Sequence, residues 1–136
     1  MELDINKIRK KNENIKIGEL SDEVINLLNL NCKPQNIYLW GARIDEHCEK
    51  HKTEYSSPTA YDEAIRNIPQ IISNPDYVAR NQKNGNVQYI KRLTDLSLVG
   101  IKITEGNKGL IFRTIFPISE GKLNNNIKNG IYKEIK

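Results

Sequence analysis

Hydrophobic and polar positions follow two different periods along this chain. In residues 22–30, and again from Pro58 onwards, apolar residues recur at three- and four-residue intervals, which predicts amphipathic helices. Ser21 is a suitable N-cap for the first helix, and Pro69 breaks the second into two pieces because it removes a backbone donor. After the Asn-Pro-Asp turn at residues 74–76, apolar residues alternate with polar ones, as in strands. The first half is therefore predicted to be mainly helical and the second half a sheet.

Turn signals divide the second half into strands. Asn84-Gly85 favours a tight hairpin, and residues 105–108 form a second turn sequence. Besides a short strand at residues 37–40, strands are predicted at residues 77–80, 87–92, 98–104 and 110–116. Helices followed by such a meander are typical of an α+β order and not of a βαβ alternation. We therefore expect an α+β fold in which N-terminal helices pack on a four-stranded antiparallel sheet.

A length of 136 residues is that of one compact domain. We divide it into a flexible arm at residues 1–16, a mainly helical half at 17–76, the sheet at 77–116 and a C-terminal tail at 117–136. No apolar run reaches the roughly 18 residues that a spanning helix needs, and no basic-then-apolar leader opens the chain. We therefore expect a cytoplasmic protein that has no membrane partner.

The net charge of +4 is concentrated in one stretch of sequence. Between residues 76 and 116, seven basic side chains outnumber three acidic ones, and the remainder of the chain is neutral. Such concentration favours a polyanionic partner, whereas a lysine-rich solvated surface accounts for the same composition. The charge pattern alone leaves both interpretations open.

The two histidines of the chain lie four residues apart in a segment predicted to be helical, residues 42–52. On an α-helical projection, His47 and His51 share the apolar side with Ile44 and Cys48. Their ring nitrogens must be hydrogen-bonded or face a cleft, so they are either core histidines bonded to backbone carbonyls or part of a functional site. Two titratable groups on adjacent turns of one inward face favour the functional site.

Histidines at this spacing can also share a zinc ion. The metalloprotease pattern needs a glutamate directly after the first histidine, where this chain has Cys48. Asp45, Cys32 or Cys48 could supply a third ligand, but no second pair with ligand spacing is present, and both cysteines are expected to be reduced thiols. A zinc-dependent hydrolase is therefore the weaker alternative, and our assignment includes no metal and no cofactor.

The basic strands supply the groups that we expect opposite the histidines. Lys91 or Arg92, together with Arg113 and Thr114, are the polar candidates. One neutral imidazole can take the 2′-hydroxyl proton of RNA, and an imidazolium can return a proton to the 5′-leaving oxygen. Basic side chains and the threonine hydroxyl would offset the charge that develops on the phosphate oxygens. These groups are sufficient to cleave RNA without a metal ion.

Three stretches of the sequence follow one another in a distinctive order. Residues 37–40 read IYLW and precede the histidine segment, residues 68–78 read IPQIISNPDYV, and residues 113–117 read RTIFP. In this order they resemble the phage-type members of the barnase, EndoU, colicin and RelE-like nuclease superfamily, over about residues 16–120. The resemblance implies helices packed on a four-stranded antiparallel sheet and a metal-independent RNase, often a toxin.

The resemblance, applied by position, completes the expected site. It implies His47 or His51 as the helix histidine, Lys91 as the basic strand residue and Thr114 as the last-strand hydroxyl. With the residues above, the catalytic group is predicted to be His47, His51, Lys91 and Thr114. Substrate contacts are predicted from Arg43, Arg80, Arg92, Arg113 and Tyr89.

We therefore expect a metal-independent endoribonuclease, a phage or mobile-element toxin or effector, that cleaves tRNA or mRNA to leave a 2′,3′-cyclic phosphate. An acidic immunity or antitoxin protein is the expected second partner beside RNA, because a toxin requires an inhibitor and its surface is basic. Some members of the superfamily act by binding alone. A non-catalytic RNA- or protein-binding module of the same fold is therefore the main alternative.

Overall fold

A seven-stranded mixed sheet runs through the described part of the chain. The structure is a computed structural model that describes residues 3–4, 14–44, 48–104 and 109–135. Its strands are β1 (Asn14–Leu20), β2 (Gln35–Trp40), β3 (Tyr77–Arg80), β4 (Val87–Arg92), β5 (Leu96–Ile103), β6 (Leu110–Pro117) and β7 (Lys133–Glu134). They lie side by side in the order β1-β2-β6-β5-β4-β3-β7. Neighbouring strands are antiparallel except β2 and β6, which are parallel.

Helices connect these strands or cover them. They are α1 (Asp22–Leu28), a 3-10 helix (Glu49–Glu54), α2 (Pro58–Arg66), α3 (Ile68–Ser73) and α4 (Glu120–Lys128). Ser21, Ser57 and Ser119 cap α1, α2 and α4 by accepting a hydrogen bond from the backbone N–H three residues on. None of the helices in the described residues is long and apolar enough to span a membrane.

The expected arrangement of helices on a four-stranded antiparallel sheet is wrong, although the chain does combine helices and strands as an α+β fold. Strands β3 to β6 form the predicted meander. The sheet continues past β6 into β2 and β1, and past β3 into the two-residue strand β7. The parallel pairing of β2 with β6 joins segments from opposite halves of the chain, and no local pattern of residues encodes such a contact.

Strand β1 lies where the sequence predicted the end of an arm and the start of the helical half. Its pairing with β2 shifts register between Lys16 and Gly18, so Ile17 is an extra residue in a β-bulge. The bulge interrupts the alternation of apolar and polar residues, which hides the strand from a search for period two. Leu3 is buried and its N–H donates to the carbonyl oxygen of Arg66 over 2.8 Å. Residues 1–2 and 5–13 of the expected arm lie outside the described residues.

The two faces of the sheet are covered differently. Helices α1, α2 and α3 pack on one face, the helix side, where Tyr89 and Phe112 are fully buried. Helix α4 packs on the other face, the outer face, where Leu123 belongs to a smaller buried cluster with Leu98. Because α4 is short, it covers the part of the outer face that lies over β3, β4 and the adjoining ends of β5 and β6, where Lys122 Nζ lies 5.5 Å from the centre of the Phe116 ring. The rest of the outer face carries the exposed side chains of Trp40 and Ile111.

Gly18→Ala should destabilise the protein through the contact between β1 and α3. A Cβ atom at Gly18 would lie 2.7 Å from Cγ2 of Ile72, so the buried Ile72 side chain would have to shift. We expect a loss of about 1–3 kcal/mol in the free energy of unfolding, measured by urea denaturation. Gly121→Ala is the matched control, because the nearest atom to its Cβ would be Ser119 Oγ at 3.9 Å. Equal urea midpoints for the Gly18 variant and the unchanged chain would contradict this packing.

Candidate functional site

Strand β6 extends beyond the end of its neighbour β2. In the described residues, β2 pairs with β6 only at Leu110 and Ile111. Further along, residues after β2 continue in the same direction and contact successive residues of β6 without forming a strand. There the Arg43 Nε donates a 2.9 Å hydrogen bond to the carbonyl oxygen of Arg113. A side chain thus hydrogen-bonds to a β6 carbonyl beyond the last residue of β6 that pairs with β2 in the described residues.

The same segment follows β6 to its end. Ile44 and Cys48 are fully buried, and the Cys48 thiol is hydrogen-bonded to the backbone of Ile115. Burial is the main cause that raises the pKa of Cys48 to about 12, so its sulfur stays a neutral thiol. One turn later, the ring of His51 lies 5.5 Å from the ring of Phe116. The uncovered edge of β6 therefore determines where the histidine segment packs.

His51 is held by a carboxylate as well as by this ring contact. Its Nδ1 is hydrogen-bonded to Oε2 of Glu54, three residues on. Side chains at i and i+3 eclipse each other in a 3-10 helix, so this pair follows from the helix type. A carboxylate at Nδ1 selects the tautomer that carries its proton there, which leaves Nε2 as the reactive nitrogen. The His51 side chain is 22% exposed.

The described residues do not form one continuous α-helix over residues 42–52, as the sequence predicted. Residues 42 and 43 are helical, and the 3-10 helix begins at Glu49. His47 lies outside the described residues, as do residues 45 and 46, so the expected pairing of the two histidines is untested. Within the residues that are described, no group of three His, Cys, Asp or Glu side chains is placed to hold a metal ion.

Thr114 lies on the outer face, two residues before Phe116, whose ring contacts His51. Gly100 pairs with Thr114, but Ile101 pairs with Phe112, so Arg113 is the extra residue of a β-bulge. The bulge reverses the alternation along β6: Phe112 and Ile115 are buried on the helix side, whereas Thr114 and Phe116 face outwards. Simple alternation had grouped Phe112 with Thr114 on one face, and the bulge overturns that expectation. Residues two apart on a strand face share a side, so Thr114 neighbours the ring that His51 contacts.

Gly100 has no side chain to project from the outer face beside Thr114. A Cβ atom at this position would lie 3.2 Å from Cγ2 of Thr114, which leans over the glycine. Gln88 follows in the same cross-strand row, since it pairs with Gly100. The row from Thr114 to Gln88 therefore has no side chain at its centre, and it lies between the part of the outer face under α4 and the open part.

The Lys91 side chain does not lie on the same face of the sheet as this row of residues. Along β4, Tyr89 and Lys91 face the helix side, and Ile90 and Arg92 face outwards. The Lys91 Nζ donates a 2.8 Å hydrogen bond to the carbonyl oxygen of Asn74, the C-cap of α3. A cation at a helix C-terminus is favourable, so the contact has a structural role. The expected grouping of Lys91 with Thr114 fails because their side chains lie on opposite faces of the sheet.

Two other predicted substrate contacts are engaged elsewhere. Arg92 forms an ion pair with Glu120 of α4, and the hydrogen bond to Arg92 lowers the pKa of that carboxyl group. Tyr89 is fully buried on the helix side, where burial raises the pKa of its hydroxyl. Arg92 therefore ties α4 to the sheet, and the ring of Tyr89 has no open face on which a base could stack.

The remaining predicted arginines divide between the site and the far side of the sheet. Arg43 and Arg113 are half-buried and lie beside the bulge of β6. Arg80 ends β3, three strands away, at a lateral distance of roughly 14 Å for a strand spacing of about 4.8 Å. The basic stretch of sequence is thus distributed over both faces of the sheet, because alternate strand residues point in opposite directions.

Glu54 and Lys102 are site residues that the sequence analysis missed. Glu54 lies beyond residue 52, where the predicted histidine helix ended, and the 3-10 helix continues to it and places it beside His51. Lys102 pairs with Ile111 across β5 and β6 and is exposed on the open outer face. The sequence signal for Lys102 was its position in the strand: it lies two residues from Gly100, so the two residues share a face.

The family to which the chain matches identifies this small α+β protein as a nuclease. The family model for phage-Barnase-EndoU-ColicinE5/D-RelE like nuclease 3 matches residues 15–125, most of the chain. The chain belongs to this nuclease family, and the resemblance predicted from the sequence is confirmed. Comparison with the curated proteins and with the solved structures found no match.

Cys48 should be unreactive in the folded protein. The thiolate is the nucleophilic form, and burial both raises the pKa of this thiol to about 12 and blocks access to it. Native protein treated with an aromatic disulfide reagent at pH 8 should titrate one thiol, that of the half-buried Cys32, and both thiols in urea. Cys32→Ser should abolish the native reaction. Two thiols that react equally fast in native protein would contradict the placement of Cys48.

Proposed function

We propose that this nuclease is an endoribonuclease that cleaves RNA without a metal ion and leaves a 2′,3′-cyclic phosphate. The observation that carries the proposal is the placement of His51. Its Nδ1 is bound by Glu54, its ring contacts Phe116, and Phe116 shares the outer face of β6 with Thr114. A half-open imidazole with one nitrogen fixed by a carboxylate is suited to general acid–base catalysis.

The reaction needs one proton removed and one proton supplied. The 2′-hydroxyl loses its proton to a base, the 2′-oxygen attacks phosphorus, and the bond from phosphorus to the 5′-oxygen breaks as that oxygen takes up a proton. Nε2 of His51 can serve as the base when neutral or as the acid when protonated. His47, the other predicted histidine, is the candidate for the complementary step.

Charge on the non-bridging phosphate oxygens must be offset as the transition state forms. The Thr114 hydroxyl can donate a hydrogen bond to one of them, and Arg113 lies next to it on the bulge. On the same face, Lys102 supplies the cation that the sequence analysis had assigned to Lys91. An acidic inhibitor protein would complement the same cations, which is the basis for retaining a toxin or effector role in the proposal.

His51→Ala should reduce RNA cleavage by about 10²- to 10⁴-fold, because it removes the proton-transfer group. Thr114→Val, which keeps the shape of the side chain, should cost about 10²-fold through the lost hydrogen bond. The assay uses a tRNA and rRNA mixture in EDTA. The expected products have a 5′-hydroxyl that a kinase labels directly and a 3′-terminal phosphate that resists a phosphatase until acid opens the cyclic ester. Lys33→Ala and Thr59→Val are matched controls at exposed positions outside the site.

The outcomes separate the candidate functions. Cleavage that survives in the His51 variant, or that stops in EDTA and returns with zinc, contradicts the proposal. RNA that is bound but never shortened identifies a non-catalytic binding module instead. Lys91→Ala distinguishes the two assignments of that lysine: we expect a lower melting temperature with cleavage retained, whereas a loss as large as that of His51→Ala would restore it to the catalytic group.

A further inference from the structure

We propose that the open part of the outer face is a base-stacking platform for single-stranded RNA, built on Trp40 and Tyr38. The inference deepens the proposed function and rests on it for the choice of RNA as ligand. Trp40 is 48% exposed and Ile111 is 38% exposed, both on strands of this face. Large apolar side chains grouped on one open surface mark a binding site more often than isolated ones do.

Strand register places the platform residues in one row. Lys16 pairs with Tyr38, Tyr38 with Ile111, and Ile111 with Lys102, across the four adjacent strands β1, β2, β6 and β5. The row spans roughly 14 Å for three strand spacings of about 4.8 Å. Its centre is apolar and aromatic, and its two ends are lysines. Trp40 lies two residues beyond Tyr38 on the same face of β2.

The ring of Tyr38 is held in place before any ligand binds. Gly109 has a φ of +80°, and a Cβ atom there would lie 3.1 Å from a ring carbon of Tyr38, so the ring packs directly on the glycine backbone. The amide Nδ2 of Asn36 donates a 3.1 Å hydrogen bond to the Tyr38 hydroxyl. A rigid aromatic surface loses little conformational entropy on binding, which favours stacking of a base on its free side.

The charges favour a nucleic acid over a protein surface. Lys102 makes no ion pair within the described residues, and Lys16 is bound to the exposed Glu19, a contact that water screens. Exposed aromatic rings flanked by lysines are the combination that binds single strands, since bases stack on the rings and phosphates meet the cations. A second copy related by a two-fold axis would bring one lysine-bounded row against another, where like charges oppose each other.

The platform also adjoins the proposed reaction site. Lys102 and Gly100 are two residues apart on one face of β5, and Gly100 pairs with Thr114. A strand of RNA with bases on Tyr38 and Trp40 would therefore carry its backbone past Lys102 towards Thr114 and His51. The platform would position the nucleotides that flank the scissile phosphate.

Trp40 is the sole tryptophan of the chain, so its fluorescence reports directly on this surface. The ligand is a 2′-O-methyl oligonucleotide, which cannot be cleaved by attack of a 2′-hydroxyl and so separates binding from chemistry. We expect single strands to quench Trp40, and we expect little quenching by an RNA duplex or by an abasic strand of equal length. Tyr38→Ala should weaken binding by about 5- to 150-fold, the effect of losing one stacked base. Ile127→Ala, at an exposed apolar position on α4, is the matched control and should change nothing.

Each result bears on a different claim. Normal RNA cleavage with no quenching by any single strand overturns the platform and leaves the proposed function standing. Quenching by single strands with no cleavage of natural RNA supports the platform and removes the nuclease mechanism. Quenching that rises with protein concentration alone, together with dimers in sedimentation, overturns the platform and assigns this face to self-association.

Discussion

The site depends on an unequal pair of strands: β6 continues where β2 ends. A strand carbonyl left without a partner carries an energetic cost if it is buried, and here Arg43 satisfies that of Arg113. This hydrogen bond and the buried side chains of Ile44 and Cys48 hold the segment beside β6, and His51 lies against Phe116 near the end of that strand. Because β2 pairs with only part of β6, the rest of β6 has an open edge. The segment that covers this edge also holds His51, the proposed catalytic side chain.

A single inserted residue then determines which groups meet there. The bulge at Arg113 turns Thr114 and Phe116 to the outer face while Phe112 and Ile115 remain in the core. Without it, Thr114 would point under the helices and the ring that contacts His51 would be buried with it. The same outer face is left open because α4 ends after nine residues and is anchored at one side through Arg92 and Glu120.

Local patterns were sufficient for much of the fold and for the family. Strands β3 and β4 have the predicted bounds, because their alternation and the Asn84-Gly85 turn are local signals. The predictions that failed depend on contacts between residues distant in the sequence or on one-residue shifts of strand register. These features are the parallel pairing of β2 with β6 and the bulges at Ile17 and Arg113. Lys91 and Thr114 were grouped by their order in the chain, whereas the sheet separates them. Glu54 was missed because the predicted helix ended at residue 52, whereas the 3-10 helix runs to Glu54.

Backbone amide shifts in an NMR titration would test the central claim most directly. On addition of an uncleavable 2′-O-methyl RNA strand to the labelled protein, the account predicts the largest shifts at Tyr38, Lys102, Thr114 and Phe116, with His51 included. Small shifts at those positions, with the largest instead around Arg80 and Lys91, would contradict it, since those residues lie at the far strand or on the helix side.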